Sequence, residues 1–274
     1  MTERLTVACI QINAGNELEA NIQKAGDLVR TAKEQGARLV LMPENVAMME
    51  WGRSSILAKA MPANSHAALT AFRTLAAEVG MWLHCGTLTI RENDGSVVNR
   101  TYVLRPDGGI AAIYDKIHMF DVVLGQGETY RESSTFLPGD RAVVVETPWG
   151  GLGLSVCYDV RFPQLYRALA HGGASFLAVP AAFASTTGSA HWHVLLRARA
   201  IENGCYVFAP AQTGTHANNR QTYGHSLIID PWGEVLADAG EAPGLIVTEI
   251  DPARIQWARE KIPSLRHDRP FALP

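Results

Sequence analysis

The stretch GLGLSVCYDVRFPQLYR, residues 151–167, joins an apolar strand to a helix through a short turn that carries Cys157. A cysteine on such a turn is expected to face outward, close to the N-terminus of the helix that begins at Pro163. A helix N-terminus lowers the pKa of a thiol, and its backbone N–H groups can hold an oxyanion. The stretch therefore indicates a nucleophilic cysteine at a strand end. A buried, inert thiol is the alternative that this segment alone leaves open.

Strand and helix patterns alternate on both sides of this stretch. The patterns predict strands at 5–12, 38–42, 82–90, 97–104, 110–114, 142–146, 151–156, 175–179, 205–210, 223–229, 234–237 and 245–250, and helices that include 163–170, 190–201 and 252–261. Two halves of similar strand–helix rhythm indicate an α/β fold with a pseudo-symmetric pair of sheets and helices outside. No linker rich in Pro, Ser or Gly separates the halves, so we predict one domain over residues 1–274.

Two more strand ends carry reactive side chains. Glu44 directly follows the apolar run Leu39–Pro43, and Lys116 follows the strand pattern that ends at Tyr114. Sites collect at the carboxyl ends of strands in α/β folds. We expect desolvation to raise the pKa of Glu44, which would help it accept a proton near neutral pH, and we expect Lys116 to need an anionic partner. Each residue alone also fits a solvated surface position, and His118 fits a structural imidazole.

Composition excludes several classes of function. The chain has 274 residues, a net charge of −3, 47% hydrophobic and 19% charged residues. No basic block indicates nucleic acid or an anionic membrane as a partner. No apolar run reaches the ~18–20 residues of a membrane span, and MTERLTVACIQIN lacks a secretory pattern, so a cytoplasmic location is expected. The cysteines are widely spaced, so we expect no metal site and no disulfide framework, and we expect Cys9, Cys85 and Cys205 to be buried thiols.

Taken together, the segments resemble the nitrilase, or carbon–nitrogen hydrolase, superfamily from Thr6 to about Pro270. The resemblance lies in LMPEN (41–45), YDKIHMFD (114–121) and GLSVCYDVRFPQLYR (153–167), with TTGSAHWHVLLRARAIENGCYV (186–207) and TYGHSLIIDPWGEVL (222–236) in support. Members carry a glutamate, a lysine and a cysteine in this order. The resemblance therefore implies catalytic roles for Glu44, Lys116 and Cys157.

The family also implies a mechanism. Cys157 would attack a carbonyl and form a thioester, Glu44 would transfer the protons, and Lys116 with the N–H of Tyr158 would hold the oxyanion. The family has a second glutamate near the site. Glu132, in RESSTFLPG (131–139), matches its place best, and Glu128 is the next candidate.

Other kinds of chemistry fit parts of the sequence less well. A Cys–His hydrolase would use His191, His193 or His225 as base, but no general spacing supports it. The pair His191-x-His193 points to different faces of a helix and does not readily chelate one ion. Arg161 and Arg199 fit structural roles better than substrate binding. A catalytically silent, partner-binding member of the fold and an acyl transferase remain as alternatives of other classes.

Finer expectations follow from the resemblance. The chain is similar to the amidase branch that includes omega-amidase and deaminated-glutathione amidase, which implies a 2-oxoglutarate-type amide as substrate and no cofactor. The alternatives are 2-oxoglutaramate, and a nitrilase or another aliphatic amidase. The implied fold is a four-layer α-β-β-α sandwich that forms homodimers or larger homo-oligomers. The tail at 262–274 is expected to lie at a subunit contact.

Overall fold

The computed structural model describes residues 3–125 and 128–273. This part of the chain forms six α-helices: α1 (Leu18–Glu34), α2 (Arg53–Lys59), α3 (Ala67–Val79), α4 (Pro163–His171), α5 (Ser185–Asn203) and α6 (Ala253–Lys261). It also forms seventeen strands: β1 (Leu5–Gln11), β2 (Leu39–Leu41), β3 (Trp82–His84), β4 (Leu88–Arg91), β5 (Val97–Leu104), β6 (Ile110–Asp115), β7 (Asp121–Gly125), β8 (Glu128–Arg131), β9 (Val144–Thr147), β10 (Gly150–Leu154), β11 (Ala174–Ala178), β12 (Tyr206–Ala209), β13 (Thr213–Thr215), β14 (Gln221–Tyr223), β15 (Leu227–Ile229), β16 (Val235–Asp238) and β17 (Gly244–Ile250).

The strands build two large sheets of similar design. The first sheet has the order β17-β1-β2-β3-β5-β4, with β6 paired to β5, and the second has the order β16-β15-β12-β11-β10-β9. In each sheet three central strands are parallel, and antiparallel strands flank them. The two halves therefore repeat one arrangement, as the sequence predicted.

The side chains of β1 show how the layers pack. Val7 and Cys9 belong to the core that also contains Leu152 and Leu154 of the second sheet. Ala8 and Ile10, on the other face of β1, belong to a core shared with residues of α1 and α3. Helices α4 and α5 contact the second sheet. The order of layers is α-β-β-α, and the predicted four-layer sandwich is confirmed.

Some boundaries differ from the prediction. The single strand predicted at 82–90 is two strands, β3 and β4, because the chain turns at Gly86, where φ is +58°. The strand predicted at 223–229 is likewise divided between β14 and β15. Helix α2 and the hairpin β7–β8 were not predicted, because their short segments lack clear periodicity. Met1, Thr2, Gln126, Gly127 and Pro274 lie outside the described residues, and the assignment of 1–274 to one domain stays a prediction.

Candidate active site

Four predicted site residues come together where strands end. Glu44 follows β2, Lys116 follows β6, Cys157 follows β10, and Glu132 follows β8. The Lys116 Nζ atom lies 3.0 Å from a Glu44 oxygen and 2.8 and 2.9 Å from the two Glu132 oxygens. Cys157 lines the same cavity as these three residues. The structure thus gathers residues separated by up to 113 positions in the sequence into one buried cluster.

Cys157 occupies a strained turn. Its φ is +49°, in the left-handed region, and it begins a 3₁₀ helix over Cys157–Arg161. Its N–H donates to the Pro180 carbonyl at 2.9 Å, which holds the turn against the loop after β11. Such a turn after a strand aims the thiol into the space beyond the sheet.

Two expectations about Cys157 were wrong. The side chain does not face solvent, because only 6% of the residue is exposed. Its thiol pKa is not lowered by the helix N-terminus. Instead, burial and the neighbouring Glu44 carboxylate raise the pKa of Cys157 well above its ordinary value. The resting cysteine is therefore a protonated thiol. The predicted buried positions of Cys9, Cys85 and Cys205 are confirmed.

Glu44 is a buried carboxylate with several donors. Its Oε1 accepts hydrogen bonds from Lys116 and from Asn99 Nδ2 at 2.9 Å, and its Oε2 accepts one from the Ala182 N–H at 2.8 Å. The predicted rise in its pKa was wrong. Burial alone would raise the pKa of Glu44, but the charge of Lys116 and hydrogen bonds from Cys157, Lys116 and the Ala182 N–H outweigh burial and lower it. Glu44 is therefore ionised and can accept a proton.

Lys116 is held as an ammonium ion. Burial opposes its charge, but Glu132 and Glu44 more than compensate and raise the pKa of Lys116 above its ordinary value. The second Glu132 oxygen also accepts the Phe120 N–H at 2.7 Å, which fixes this carboxylate. Glu128, the other candidate, lies elsewhere, since it accepts hydrogen bonds from Tyr130 and Thr186.

Sequence reasoning missed Asn99. This buried residue of β5 donates to Glu44 and, at 3.4 Å, to Glu132, so it bridges the two carboxylates. The only signal for it was a polar residue inside an apolar strand pattern. That signal does not say which side chain the asparagine meets, because its partners lie 55 and 33 positions away.

Asp159 ties the cysteine turn to the lysine segment. It is fully buried and accepts four hydrogen bonds, from the Val156 N–H at 2.8 Å, Tyr114 Oη at 2.7 Å, the His118 N–H at 3.0 Å and His118 Nδ1 at 2.6 Å. The ring of His118 also stacks on Phe162 with centroids 3.5 Å apart. His118 thus has the structural role that was expected for it. Asp159 was missed, although it lies in the stretch 151–167 that also carries Cys157.

The predicted oxyanion donor, Tyr158, is the second residue of the 3₁₀ helix. N–H groups in the first turn of a helix have no partner within that helix. The N–H of Tyr158, the residue after the nucleophile, therefore has no partner within its own helix, and its role as an oxyanion donor stays a prediction.

The histidines of the rival interpretations contact other groups. His191 Nδ1 lies 3.3 Å from Arg161 Nη1. His193 Nε2 and His225 Nδ1 lie 3.1 and 3.0 Å from the carboxylate oxygens of Asp238. Ligand atoms of His193, His225 and Asp238 lie within 4.8 Å of one another, so these three could hold a metal ion, unlike the pair His191-x-His193. The absence of a metal and of a cofactor stays a prediction.

Arg199 has the structural role that was favoured for it. Its Nε donates to the Val160 carbonyl at 2.9 Å and its Nη1 to Glu202 at 2.6 Å, and the residue is 5% exposed. Arg161 packs over the ring of Phe183 at 5.2 Å.

A cavity of about 260 Å³ opens over the cluster. Its walls combine aromatic rings with cationic side chains, among them Trp51, Phe120, Tyr130, Arg53, Arg131 and Arg220. A cavity with an apolar lining and a few polar groups is typical of a site for a small molecule. The geometry offers a nucleophile, a base and a cation on one side of that cavity.

Comparison with known proteins agrees with this chemistry. The description "Carbon-nitrogen hydrolase" belongs to the family whose model matches residues 6–260. A deaminated glutathione amidase of Synechocystis is 44% identical over 264 residues, which cover 95% of this chain and 96% of that protein. The NitFhit protein of Caenorhabditis elegans has a similar structure, with a TM-score of 0.90 and 37% identity over 98% of this chain and 66% of that longer one. A mutant amidase from Nesterenkonia sp. AN1, with acrylamide added to its active-site cysteine, matches with a TM-score of 0.81 and 28% identity over 94% of this chain and 98% of that one.

The chain therefore belongs to the carbon–nitrogen hydrolase family of the nitrilase superfamily. It is a hydrolase of carbon–nitrogen bonds that cleaves amides through a cysteine nucleophile. Within the described residues, no helix is both long and apolar enough to span a bilayer.

Proposed function

We propose that the enzyme hydrolyses deaminated glutathione, the 2-oxoglutaryl amide of cysteinylglycine, to 2-oxoglutarate and the dipeptide. Similarity to proteins of that name, including the Synechocystis amidase, supports this substrate. The strongest structural support is the cavity, since it joins the Cys157 cluster to three arginine side chains that suit an anionic substrate.

Glu44, Cys157 and Lys116 would share the chemical steps. Cys157 Sγ attacks the amide carbon while its proton passes to Glu44. Glu44 then protonates the leaving nitrogen, the C–N bond breaks, and a thioester remains. Water attacks the thioester, gives a proton to Glu44, and that proton returns to the cysteine as the acid leaves. The ionised state of Glu44 and the protonated state of Cys157 fit this sequence.

The oxyanion of each tetrahedral intermediate would be held by Lys116 and the N–H of Tyr158. Glu132 would keep the Lys116 ammonium in place, because both Glu132 oxygens contact it. Losing one oxyanion donor costs about 3–4 kcal/mol in comparable enzymes. Exchange of Lys116 for methionine should therefore lower kcat by more than about 100-fold.

Three alternatives remain as outcomes of the test. An omega-amidase would favour 2-oxoglutaramate, in which the leaving group is ammonia, and another aliphatic amidase or nitrilase would use neither compound. A silent, partner-binding protein would lack turnover altogether. The intact cluster of Glu44, Lys116 and Cys157 argues against a silent member.

The deciding experiment couples 2-oxoglutarate release to a dehydrogenase and offers deaminated glutathione and 2-oxoglutaramate to the wild type and to Cys157→Ala. We expect preferred turnover of deaminated glutathione, lost in the variant. Preference for 2-oxoglutaramate would assign an omega-amidase. No release from either compound, with Cys157 still alkylated rapidly, would exclude the proposed substrate class.

The enzyme would act in the cytoplasm as a homodimer or larger homo-oligomer, on a small amide and without nucleic acid or membrane partners. Val194 and Ile201 on α5 are 66% and 49% exposed, and the large apolar side chains of Trp232 and Leu236 are exposed as well. Phe271 and Leu273 of the tail are also exposed, which suits a subunit contact there. Light scattering of the wild type and of Val194→Glu would test the assembly.

A further inference from the structure

Arg220 lies in the wall of the cavity that contains Cys157. It precedes β14, and its Nη2 donates to the Ala182 carbonyl at 2.9 Å. The N–H of the same residue, Ala182, donates to Glu44 at 2.8 Å. Ala182 therefore links the guanidinium to the carboxylate that faces Cys157, and a bound substrate would meet both groups.

The guanidinium of Arg220 has no carboxylate partner in the described part of the chain. Its Nε is buried and has no hydrogen-bond partner among these residues, and no carboxylate forms an ion pair with it there. Glu128, an acid near the same ring of Tyr130, is already bonded to Tyr130 and to Thr186 at 2.8 Å each. A buried donor without a partner is costly, so such a donor in a cavity wall indicates that a ligand supplies the acceptor.

The other two arginines in the cavity wall are less suited to bind an acceptor group of a ligand. Arg53 is exposed, and its Nε already donates to the Ser134 carbonyl at 2.8 Å. Arg131 is also exposed. Arg220 is half-buried, and its guanidinium carbon lies 5.4 Å from the ring centre of Tyr130, which limits its motion. Among the three arginines, Arg220 combines the most restricted position with a free Nε–H.

We propose that Arg220 binds the carboxylate on the acyl half of the substrate, so that the enzyme selects amides of dicarboxylic acids. This inference rests on the proposed function and names the residue that sets its specificity. A planar guanidinium pairs with a carboxylate through two parallel N–H···O bonds, and the Nε–H with a neighbouring N–H can supply them. Binding there would place the acyl chain between Arg220 and Cys157.

The test compares deaminated glutathione with 4-oxopentanoyl-cysteinylglycine. Both compounds release cysteinylglycine, but the second carries a methyl group in place of the acyl-side carboxylate. The ratio of their kcat/KM values is measured from the new amine for the wild type, Arg220→Met and Arg220→Lys. Arg141→Met serves as the control, because the Arg141 side chain is 87% exposed and does not line the cavity.

We expect the wild type to favour the carboxylate by about 10- to 100-fold, the range of one charged hydrogen-bonded contact. Arg220→Met should reduce this ratio to near one, chiefly by lowering kcat/KM for the substrate that carries the carboxylate. Arg220→Lys should retain part of the preference, and Arg141→Met should retain all of it. Alkylation of Cys157 at the wild-type rate shows that a variant has an intact site. If Arg220→Met fails this check, the lysine variant decides.

The other outcomes distinguish failure of the role assigned to Arg220 from failure of the proposed function. An unchanged preference in Arg220→Met with an intact site overturns the role of Arg220 and leaves the proposed function standing. Equal turnover of both compounds by the wild type overturns carboxylate recognition as such. Turnover of neither compound overturns the proposed function and the inference together.

Discussion

Replacement of Asn99 by leucine should move the pH dependence of the enzyme. Asn99 Nδ2 donates to the Glu44 carboxylate, as do Lys116 and the Ala182 N–H. A hydrogen bond to a charged group contributes about 1.5–3 kcal/mol. Leucine has a similar shape and removes this donor, so the ionised form of Glu44 becomes less stable. About 1.4 kcal/mol corresponds to one pKa unit. The apparent pKa of the acid limb of the kcat/KM profile should therefore rise by about one unit or more.

Asn99→Leu should lose activity at a higher pH than the wild type does. The pKa of Glu44 is lowered in the folded enzyme, so the active carboxylate form persists as pH falls until that pKa is reached. With one donor fewer, protonation occurs at higher pH and activity is lost earlier on acidification. The assay is a pH profile of kcat/KM, with Asn93→Leu in an exposed turn as control. A well-folded Asn99→Leu enzyme whose acid limb coincides with that of the wild type would refute the reasoning.

Three further predictions concern the frame of the site. A Cβ on Gly86 would lie 1.9 Å from the Pro43 carbonyl, whereas one on Gly36, also at positive φ, meets nothing within 4 Å. Gly86→Ala should therefore lower both Tm and kcat/KM, while Gly36→Ala costs only the left-handed penalty of about 1–2 kcal/mol without loss of activity; equal effects would contradict this. Iodoacetamide should label Cys157 alone in the native protein and all 4 cysteines in denaturant, as peptide mass spectrometry can show. Asp159→Asn should lower the free energy of unfolding by about 2–4 kcal/mol in urea titrations, because four donors then face a neutral side chain, and an unchanged midpoint would argue against this role.

The reactive residues could be predicted because they lie where local patterns end. Glu44, Lys116 and Cys157 each follow an apolar strand pattern, and the carboxyl ends of strands are where an α/β fold gathers its site. The α-β-β-α order of layers was implied by the family resemblance and agrees with the strand–helix rhythm. The placement of Glu132 beside Lys116 also matches the resemblance.

The environment of these residues could not be predicted in the same way. Local reasoning gave Glu44 a raised pKa and Cys157 a lowered one, and both directions were wrong. Each prediction considered one residue in its own segment, whereas the pKa values are set by the pair and by Lys116. The contacts of Asn99 depend on chain separations of 33 and 55 residues, which no local pattern encodes.

The charges of the cluster explain how a thiol with a raised pKa can still act as a nucleophile. Glu44, Glu132 and Lys116 together carry one excess negative charge in a buried setting. Loss of the Cys157 proton to solvent would add a second negative charge there, which is costly in a medium of low dielectric constant. Transfer of that proton to Glu44 leaves the net charge unchanged, so the thiolate forms only as Glu44 becomes neutral.

Glu44→Gln removes this acceptor while keeping the size of the side chain. We expect amide turnover to fall by more than about 1000-fold, since both protonation of the leaving amine and activation of water depend on the same carboxylate. Alkylation of Cys157 at pH 7 should be at least as fast as in the wild type, because the Glu44 charge that raises the pKa of the thiol is gone while Lys116 remains beside it. Turnover and alkylation are measured side by side, with Glu128→Gln as the matched control. Turnover of Glu44→Gln near the wild-type rate, with Cys157 still alkylated, would show that the protons need not pass through Glu44, and proton transfer within the pair would have to be abandoned.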